Sequence, residues 1–399
     1  PILQKVFRLN RHPRFYIWTN RFPVSYLEGL EDLIQDPHKM LDEVNGRRFQ
    51  VRRYLDEGKA LDCREQERCQ HCFIEPFCNT VDNVVEAQKQ ERWEVWWVGQ
   101  KERAAQAPSP LPYGCTSVGV DLKSLTELHG LSVPDGATVC ARPDEADPLP
   151  DGLPFPVHLI ARTGEQLDHW VANTAVPIRI ELNGQTAQWM VNHRDLVQAN
   201  LDRLHVHQPS HEKMLAAVEN DVRNPATFFK SLQLPIKTSG LPPCMTPGVQ
   251  LVDDPAVLDA NLFDMETGRL KIRPLARYHI EQKYRGKSVR CADCKLNVRC
   301  EGIPINMVRD QGLRQAQPLE SGPWTEEALR QLTARWPAPP VRVHHGRHPV
   351  GPANSLPGFA DPTIAPTDPL AVIAAKMAEK AEQRKARRKA IRAQMEAKS

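Results

Sequence analysis

The chain has 399 residues, of which 41% are apolar and 25% charged, a composition typical of a globular protein with room for two or three domains. Its formal net charge is +3 and no run of 18 apolar residues occurs, so we expect no membrane span. No N-terminal signal pattern is present, which favours the cytoplasm, where cysteines stay reduced. The chain begins with Pro1 inside what reads as folded sequence, so we expect a portion of a longer protein.

The first elements predict the end of an α/β domain. Phe15–Thr19 is aromatic and β-branched, which predicts a buried strand. Helices are expected over residues 25–34 and then from Asp36-Pro37, an N-cap followed by a proline suited to the first helical position, to Asn45-Gly46. A third helical piece is expected over residues 47–55. Strand followed by helices is typical of an α/β unit.

The middle of the chain predicts a second α/β unit. Residues 83–98 read as helical or extended and carry three tryptophans, which usually form core. Asn183-Gly184 is a hairpin signal between two predicted strands. Helices are expected from Ser210 to about Val222 and from Pro225. The predicted strands are Thr116–Leu122, Ala137–Ala141, Val157–Ala161, Ile178–Leu182, Gln185–Val191 and Leu204–His207.

Towards the C-terminus, helices are predicted at Pro274–Tyr284 and Thr325–Trp336, and Ile305–Gln311 is expected to be a short ordered piece. Nine prolines in residues 337–369 predict a flexible spacer. Residues 376–399 carry nine Lys or Arg and three Glu, so the basic character belongs to the tail and the rest of the chain is mildly acidic.

The predicted fold class is therefore α/β, with the end of a partial β/α barrel-like domain, two irregular segments that each hold four cysteines, a central α/β unit and a C-terminal basic helix. The predicted domains are 1–62 (barrel-like end), 63–99 (first cysteine segment), 100–114 (linker), 115–240 (central α/β unit), 241–336 (second cysteine segment), 337–369 (Pro-rich linker) and 370–399 (basic helical tail).

Eight of the ten cysteines fall into two sets with matched spacing. Each set contains Cys-x2-Cys-x5-Cys and has a candidate fourth cysteine on its N-terminal side. The first set is Cys63, Cys69, Cys72 and Cys78, and the second is Cys244, Cys291, Cys294 and Cys300. Four thiolates that converge are the ligands of a structural zinc or of an iron–sulfur cluster. The spacing, which occurs twice, predicts two metal sites; the alternative is buried free cysteines, which pack as small apolar residues.

The spacing favours two 4Fe–4S clusters over two zinc ions. Zinc ribbons and fingers present two close cysteine pairs across a hairpin, whereas each set here has one close pair and two single cysteines. Cys244 lies 47 positions before Cys291, and a cubane accepts ligands from scattered backbone positions more readily than a single ion does. Two zinc ions remain the alternative, in an interaction or nucleic-acid-binding protein with a basic tail.

The second cysteine set resembles the auxiliary-cluster region, called SPASM or twitch, of radical S-adenosylmethionine (radical SAM) proteins. The likeness rests on Pro242-Pro243-Cys244, on a Lys/Arg-rich segment before Cys291-x2-Cys294-x5-Cys300, and on Gly302 after it. The first set resembles the same motif, and the strand predicted before Asn20 resembles a late strand of that family's partial β/α barrel. The resemblance implies that the eight cysteines ligate two auxiliary 4Fe–4S clusters in the C-terminal portion of an enzyme, with a peptide or another substrate.

The family's defining Cys-x3-Cys-x2-Cys loop, whose iron binds S-adenosylmethionine, does not occur in this sequence. We expect it to precede Pro1, so S-adenosylmethionine is implied by the resemblance alone. Cys63-x5-Cys69-x2-Cys72 is an alternative form of the loop, but no apolar strand precedes Cys63 and Cys78 offers a fourth ligand. No catalytic or S-adenosylmethionine-binding residue can be assigned from the sequence.

The remaining candidates have weaker patterns. His205 and His207 lie on one face of a predicted strand, with His211 beyond them, and without nearby carboxylates we interpret them as satisfied or surface histidines rather than metal ligands. Cys115 and Cys140 are isolated and are expected to be buried small residues. The basic tail offers a contact for nucleic acid, but such a run is more often a solvated face. No Gly-rich phosphate loop, Gly-x-Ser-x-Gly elbow or His-Glu-x-x-His motif is present.

Overall fold

The structure, a computed structural model, describes residues 2–335 except 16, 18, 21, 58, 60, 65–68, 70–71, 73, 91–92 and 265–268; for residues 3–4 and 86–90 it describes the backbone. All of these residues belong to one structural unit, residues 1–358. The predicted Pro-rich linker and basic helical tail lie outside the described residues.

A nine-stranded parallel sheet organises this unit. The order across the sheet is β8-β7-β6-β5-β4-β3-β2-β1-β9, and every neighbouring pair is parallel. The strands are β1 (Val95–Gln100), β2 (Ser117–Leu122), β3 (Thr138–Pro143), β4 (Val157–Ala161), β5 (Ile178–Glu181), β6 (Leu204–His207), β7 (Lys237–Ser239), β8 (Gln250–Leu251) and β9 (Val257–Asp259). Because β1 to β8 are neighbours in chain order, right-handed crossovers place the connections on one face. The sheet curls into a half-barrel with a concave face.

Helices and a small second sheet complete the unit. The antiparallel pair β10 (Arg285–Gly286) and β11 (Ile303–Pro304) encloses the segment that carries Cys291, Cys294 and Cys300. A π-turn at His279–Lys283 continues α10. The helices are α1 (Ile2–Phe7), α2 (Lys39–Gly46), α3 (Arg48–Glu57), α4 (Glu75–Gln90), α5 (Gly164–Asn173), α6 (Gly184–Asn192), α7 (Arg194–Gln198), α8 (Met214–Asn220), α9 (Pro225–Leu232), α10 (Ile272–Tyr278), α11 (Ile305–Gln311) and α12 (Pro323–Arg335). Among the described helices, none is both long and apolar enough to cross a bilayer.

The two faces of the sheet differ in composition. Alternate positions that face the helices are apolar; Val118, Val139 and Leu159, for example, are 0% exposed, and burying such a side chain stabilises the fold by roughly 1.5–3 kcal/mol. The concave face holds a smaller apolar cluster beside charged side chains. In this cluster the Trp97 ring packs on Gly119, and a Cβ atom at position 119 would stand 2.0 Å from the ring. The cluster consists of Val95, Trp97, Cys140 and Ile160.

The predicted strand at Gln185–Val191 is wrong, because these residues form α6. The Asn183 side chain caps this helix by accepting the N–H groups of Gln185 at 2.9 Å and Thr186 at 3.1 Å, and the Thr186 hydroxyl accepts the N–H of Asn183 at 3.0 Å. This reciprocal cap satisfies the helix start, so Asn183-Gly184 begins a helix rather than a hairpin. The other five predicted strands of the middle unit correspond to β2 to β6.

The strand predicted at Phe15–Thr19 is not found among its described residues. Ile17 donates its N–H to Asn10 Oδ1 at 2.7 Å, the Thr19 hydroxyl bonds the Leu33 carbonyl, and Phe15 is 54% exposed. These backbone groups bond to a local loop instead of a neighbouring strand. The parallel sheet therefore lies in residues 95–259, wider than the predicted central unit, and two 3-10 turns at Lys101–Gln106 and Pro112–Gly114 occupy the predicted linker.

Candidate metal centres

The four thiols of the second set line one apolar cavity. Cys244 lies in a 3-10 turn after β7, while Cys291, Cys294 and Cys300 lie on the segment between β10 and β11. Burial, with the other thiols as neighbours, raises the pKa of Cys244 to about 12 and that of Cys300 to about 11. The structure thus brings together all four cysteines that the sequence assigned to this set.

Short turns hold the cysteine segment in place of a helix or strand. Cys294 donates its N–H to the Cys291 carbonyl at 3.1 Å, and Cys300 donates to the Leu296 carbonyl at 2.9 Å. The Leu319 N–H points at Cys294 Sγ at 3.4 Å, a contact of the type that supports a thiolate. The Lys287 ammonium donates to the Asn297 carbonyl at 2.6 Å and ties the middle of the segment to β10.

Gly302 fixes the end of this segment against β10. Its φ of +99° lies in the region that favours glycine, and a Cβ atom there would stand 2.6 Å from the Gly286 carbonyl oxygen. The close approach of the two backbones sets Cys300, two residues earlier, beside the start of the cysteine segment. A glycine is therefore required here for steric reasons.

The first set is held between α3 and α4. Arg47 donates through Nη1 to Cys63 Sγ at 2.8 Å, and Cys69 Sγ lies 3.8 Å from the Cys63 carbonyl oxygen. Burial raises the pKa of Cys78 to about 11, with Cys63 and Cys72 as neighbouring thiols. All four cysteines of the predicted set are thus near one another.

Two cations flank the first set. The guanidinium groups of Arg47 and Arg64 both lower the pKa of Cys78 against the larger effect of burial. Arg64 also pairs with the buried Asp82 of α4, and Tyr54 donates its hydroxyl to the same carboxylate at 2.5 Å. This buried pair links the segment after Cys63 to the helix that carries Cys78.

Helix α4, which carries Cys78, packs against the π-turn that continues α10 towards the second set. His279, 1% exposed, has its Nδ1 2.7 Å from the Thr80 hydroxyl of α4, and its ring packs against Phe77 and Tyr284. Thr80 also lies 3.2 Å from the Pro76 carbonyl, to which its single hydroxyl hydrogen is donated. His279 therefore donates from Nδ1, and its Nε2 is buried without a partner among the described groups.

All ten cysteines are free thiols. Within the described residues, no group of three or more His, Cys, Asp or Glu side chains is arranged to hold a single metal ion. The two sets are therefore groups of neighbouring thiols, which share a cavity in the second set and lie between α3 and α4 in the first.

The weaker candidates have ordinary partners. Ser239 Oγ lies 2.7 Å from His205 Nε2 and 2.9 Å from His207 Nδ1, which matches the interpretation of satisfied histidines. Burial lowers the pKa of His205 to about 4, so it is neutral at neutral pH. His211 Nε2 lies 3.2 Å from the Asp221 carboxylate. Cys115 and Cys140 are buried as expected, at 7% and 6% exposure.

Sequence reasoning missed a cleft of about 480 Å³ on the concave face. Its polar lining comes from the carboxyl ends of several strands, the usual position of ligand sites in parallel sheets. Charged residues at or just after the ends of predicted strands, such as Arg142 and Glu181, were the available signal. The strand residues that line the cleft are Trp97, Arg142, Arg179, Glu181, His207, Val257 and Asp259.

Comparison with known proteins gives no family for the chain: no family model, no curated protein and no solved structure matches it at a significant level.

Proposed function

We propose that this chain is an iron–sulfur protein and forms the auxiliary-cluster portion of a radical SAM enzyme. One 4Fe–4S cluster would be held by Cys63, Cys69, Cys72 and Cys78, and the other by Cys244, Cys291, Cys294 and Cys300. The observation that carries the proposal is the second grouping, because Cys244 shares a cavity with three cysteines that follow it by 47 or more positions. Four partly buried thiols have no electrostatic reason to gather at such a separation unless a cation binds them.

The donor set fits a soft, positively charged group. A thiol with a pKa of about 12 is protonated at neutral pH, and a bound metal removes that proton because the thiolate is the ligand. The cavity has an apolar lining that includes Leu296 and Ile303. Lys287 and Arg290 lower the pKa of Cys291 against burial and would offset the negative charge of a thiolate set.

The first set fits in the same way. Arg47 contacts Cys63 directly, and Arg64 is held near Cys69 and Cys78 by its pairing with Asp82. A guanidinium beside a thiol favours the thiolate, so the site is prepared for a cationic group. When bound, a 4Fe–4S cluster supplies one-electron transfer or a Lewis-acidic iron.

The radical SAM part of the proposal rests on the motif resemblance and is compatible with the fold. The curled parallel sheet, with β1 to β8 in chain order, is compatible with a partial β/α barrel, although it lies in residues 95–259 rather than in the predicted barrel-like end at 1–62. A peptide or other substrate, the use of S-adenosylmethionine and a cytoplasmic location follow from the resemblance and from the reduced thiols. The two irregular cysteine segments are the parts that would hold the auxiliary clusters.

Anaerobic purification of single-cysteine variants tests the proposal. The Cys294→Ala variant should lose roughly half of the iron and the broad absorbance near about 400 nm that thiolate-ligated iron gives, because one of two sites loses a ligand. The matched control is Cys115→Ala, since Cys115 is buried but lies in neither set. Equal iron in both variants would remove Cys294 from the ligands, and a colourless wild-type protein with about two zinc atoms would favour the zinc alternative.

A further inference from the structure

The cleft on the concave face has paired charges that account for part of its lining. The Arg142 guanidinium stacks on the Trp97 ring at 4.6 Å and pairs with Asp121 at 2.6 Å and Glu181 at 3.8 Å. At the rim of the cleft, Arg277 Nε lies 3.4 Å from the carboxylate of Glu212. These contacts give both arginines carboxylate partners, and the group around Arg142 keeps one net negative charge.

Arg179 on β5 has no such direct contact, although the carboxylates of Glu181 and Glu94 act on its charge from farther away. It forms no hydrogen bond within 3.5 Å and no ion pair within 4.0 Å with any residue that the structure describes, and its Nε is buried. The neighbouring imidazoles do not share its charge, because burial and Arg179 itself lower the pKa of His158 and His205. A partly buried guanidinium with unused donors is a binding group for an oxyanion, most often a carboxylate or phosphate.

Two carboxylates line a different wall. Asp259 ends β9, an edge strand five places from β5 in the sheet, and Glu281 lies on the π-turn that follows α10. Neither forms an ion pair with a residue in the described part of the chain, although one Asp259 oxygen accepts the N–H of Asn261 at 2.7 Å. Burial and the nearby carboxylates of Glu212 and Asp259 raise the pKa of Glu281, against smaller opposing effects of His211 and Arg142.

We propose that this cleft binds a zwitterionic ligand of the amino-acid type, with its carboxylate on Arg179 and its ammonium group between Glu281 and Asp259. The cleft volume of about 480 Å³ suits a small organic ligand. A phosphate dianion is disfavoured because the acidic wall repels its second charge, whereas a zwitterion pairs both unmatched charges at once. The site contains no residue of either cysteine set, so its failure and the failure of the cluster proposal are separate outcomes.

A series of ω-amino acids, titrated calorimetrically into the full chain purified without oxygen, tests this assignment. The probes are glycine, 4-aminobutyrate and 6-aminohexanoate, with hexanoate and hexylamine as analogues that keep one charge each. At least one amino acid should bind roughly tenfold or more tightly than both single-charge analogues, and the best chain length reports the separation of the two walls. No binding of any amino acid up to about 10 mM, or binding no tighter than the analogues, would overturn the proposal.

Variants then assign the two ends of the ligand. Arg179→Gln should weaken the best amino acid at least tenfold and abolish hexanoate binding, while Glu281→Gln should weaken the amino acid and leave hexanoate unchanged. Matched controls are Arg330→Gln and Glu327→Gln, an exposed pair on α12 that does not line the cleft. Binding that survives Arg179→Gln at full strength would refute the carboxylate assignment, and the comparison of probes on the wild-type chain stands if that variant fails to fold.

Discussion

The replacement of His279 by Phe should change how stability depends on pH. The folded-state pKa of His279 is lowered from 6.5 to about 3 because the ring is buried and its Nε2 faces no acceptor among the described groups. The neutral ring contributes stability that is fully present above pH 6.5, and this is lost as the pH falls, since the unfolded chain takes up the proton first. Each pH unit between these two pKa values corresponds to about 1.4 kcal/mol, so wild type should lose on the order of 3 kcal/mol at pH 4.5 through this group.

His279→Phe keeps an aromatic ring against Phe77 and Tyr284 but cannot titrate. It loses the hydrogen bond to Thr80, which should lower the free energy of unfolding by about 1 kcal/mol at pH 7. Below about pH 6 the variant should become the more stable protein. Only in wild type does protonation of residue 279 stabilise the unfolded chain. Groups other than His279 titrate in both proteins and cancel in the difference.

Urea unfolding followed by tryptophan fluorescence, at pH 7 and at pH 4.5, measures this difference. The account predicts that the sign of the stability difference reverses between the two pH values. Curves that stay parallel, with wild type more stable by the same amount at both, would show that His279 is not neutral and desolvated in the folded chain.

Three further predictions concern the cysteine segments. Gly302→Ala should destabilise the chain by at least about 1–2 kcal/mol and lower iron at the second set, since its Cβ would meet the Gly286 carbonyl; a chain that melts and binds iron as wild type does would contradict this. Tyr54→Phe should cost about 1–3 kcal/mol in urea unfolding because the buried Asp82 loses a hydroxyl donor, and an unchanged midpoint would mean that this bond contributes nothing. Removal of residues 370–399 should leave the iron content intact, and iron loss on truncation would make the tail part of the fold.

Strands β2 to β6 were predictable because each is a short run with mostly apolar residues, whereas β7, β8 and β9, of only two or three residues each, were not predicted. Val157–Ala161 and Ile178–Glu181 match the predicted ranges closely, since strands covered on both faces need β-branched and apolar residues at most positions. Gln185–Val191 was wrong because the same dipeptide, Asn183-Gly184, suits both a hairpin turn and a helix start. The reciprocal bond with Thr186 decides between them, and it is visible in the sequence as a capping pattern.

The cysteine sets could be predicted from the sequence, whereas the cleft could not. The spacing of Cys291, Cys294 and Cys300 is local, and the place of Cys244 followed from its motif, so the second set could be named before the fold was known. The cleft could not be, because its side chains come from separate strands and a helix between Trp97 and Glu281 and meet only when the sheet curls. Partner-free charges such as Arg179 are apparent only once all neighbours are placed.

The central claim is that two groups of four thiols each bind a 4Fe–4S cluster. Elemental analysis of the anaerobically purified chain for iron, acid-labile sulfide and zinc tests it most directly. The account predicts about eight iron and eight sulfide per chain, four of each for every cluster. About two zinc atoms per chain with no sulfide, or ten titratable thiols in the unfolded chain with no metal, would contradict it.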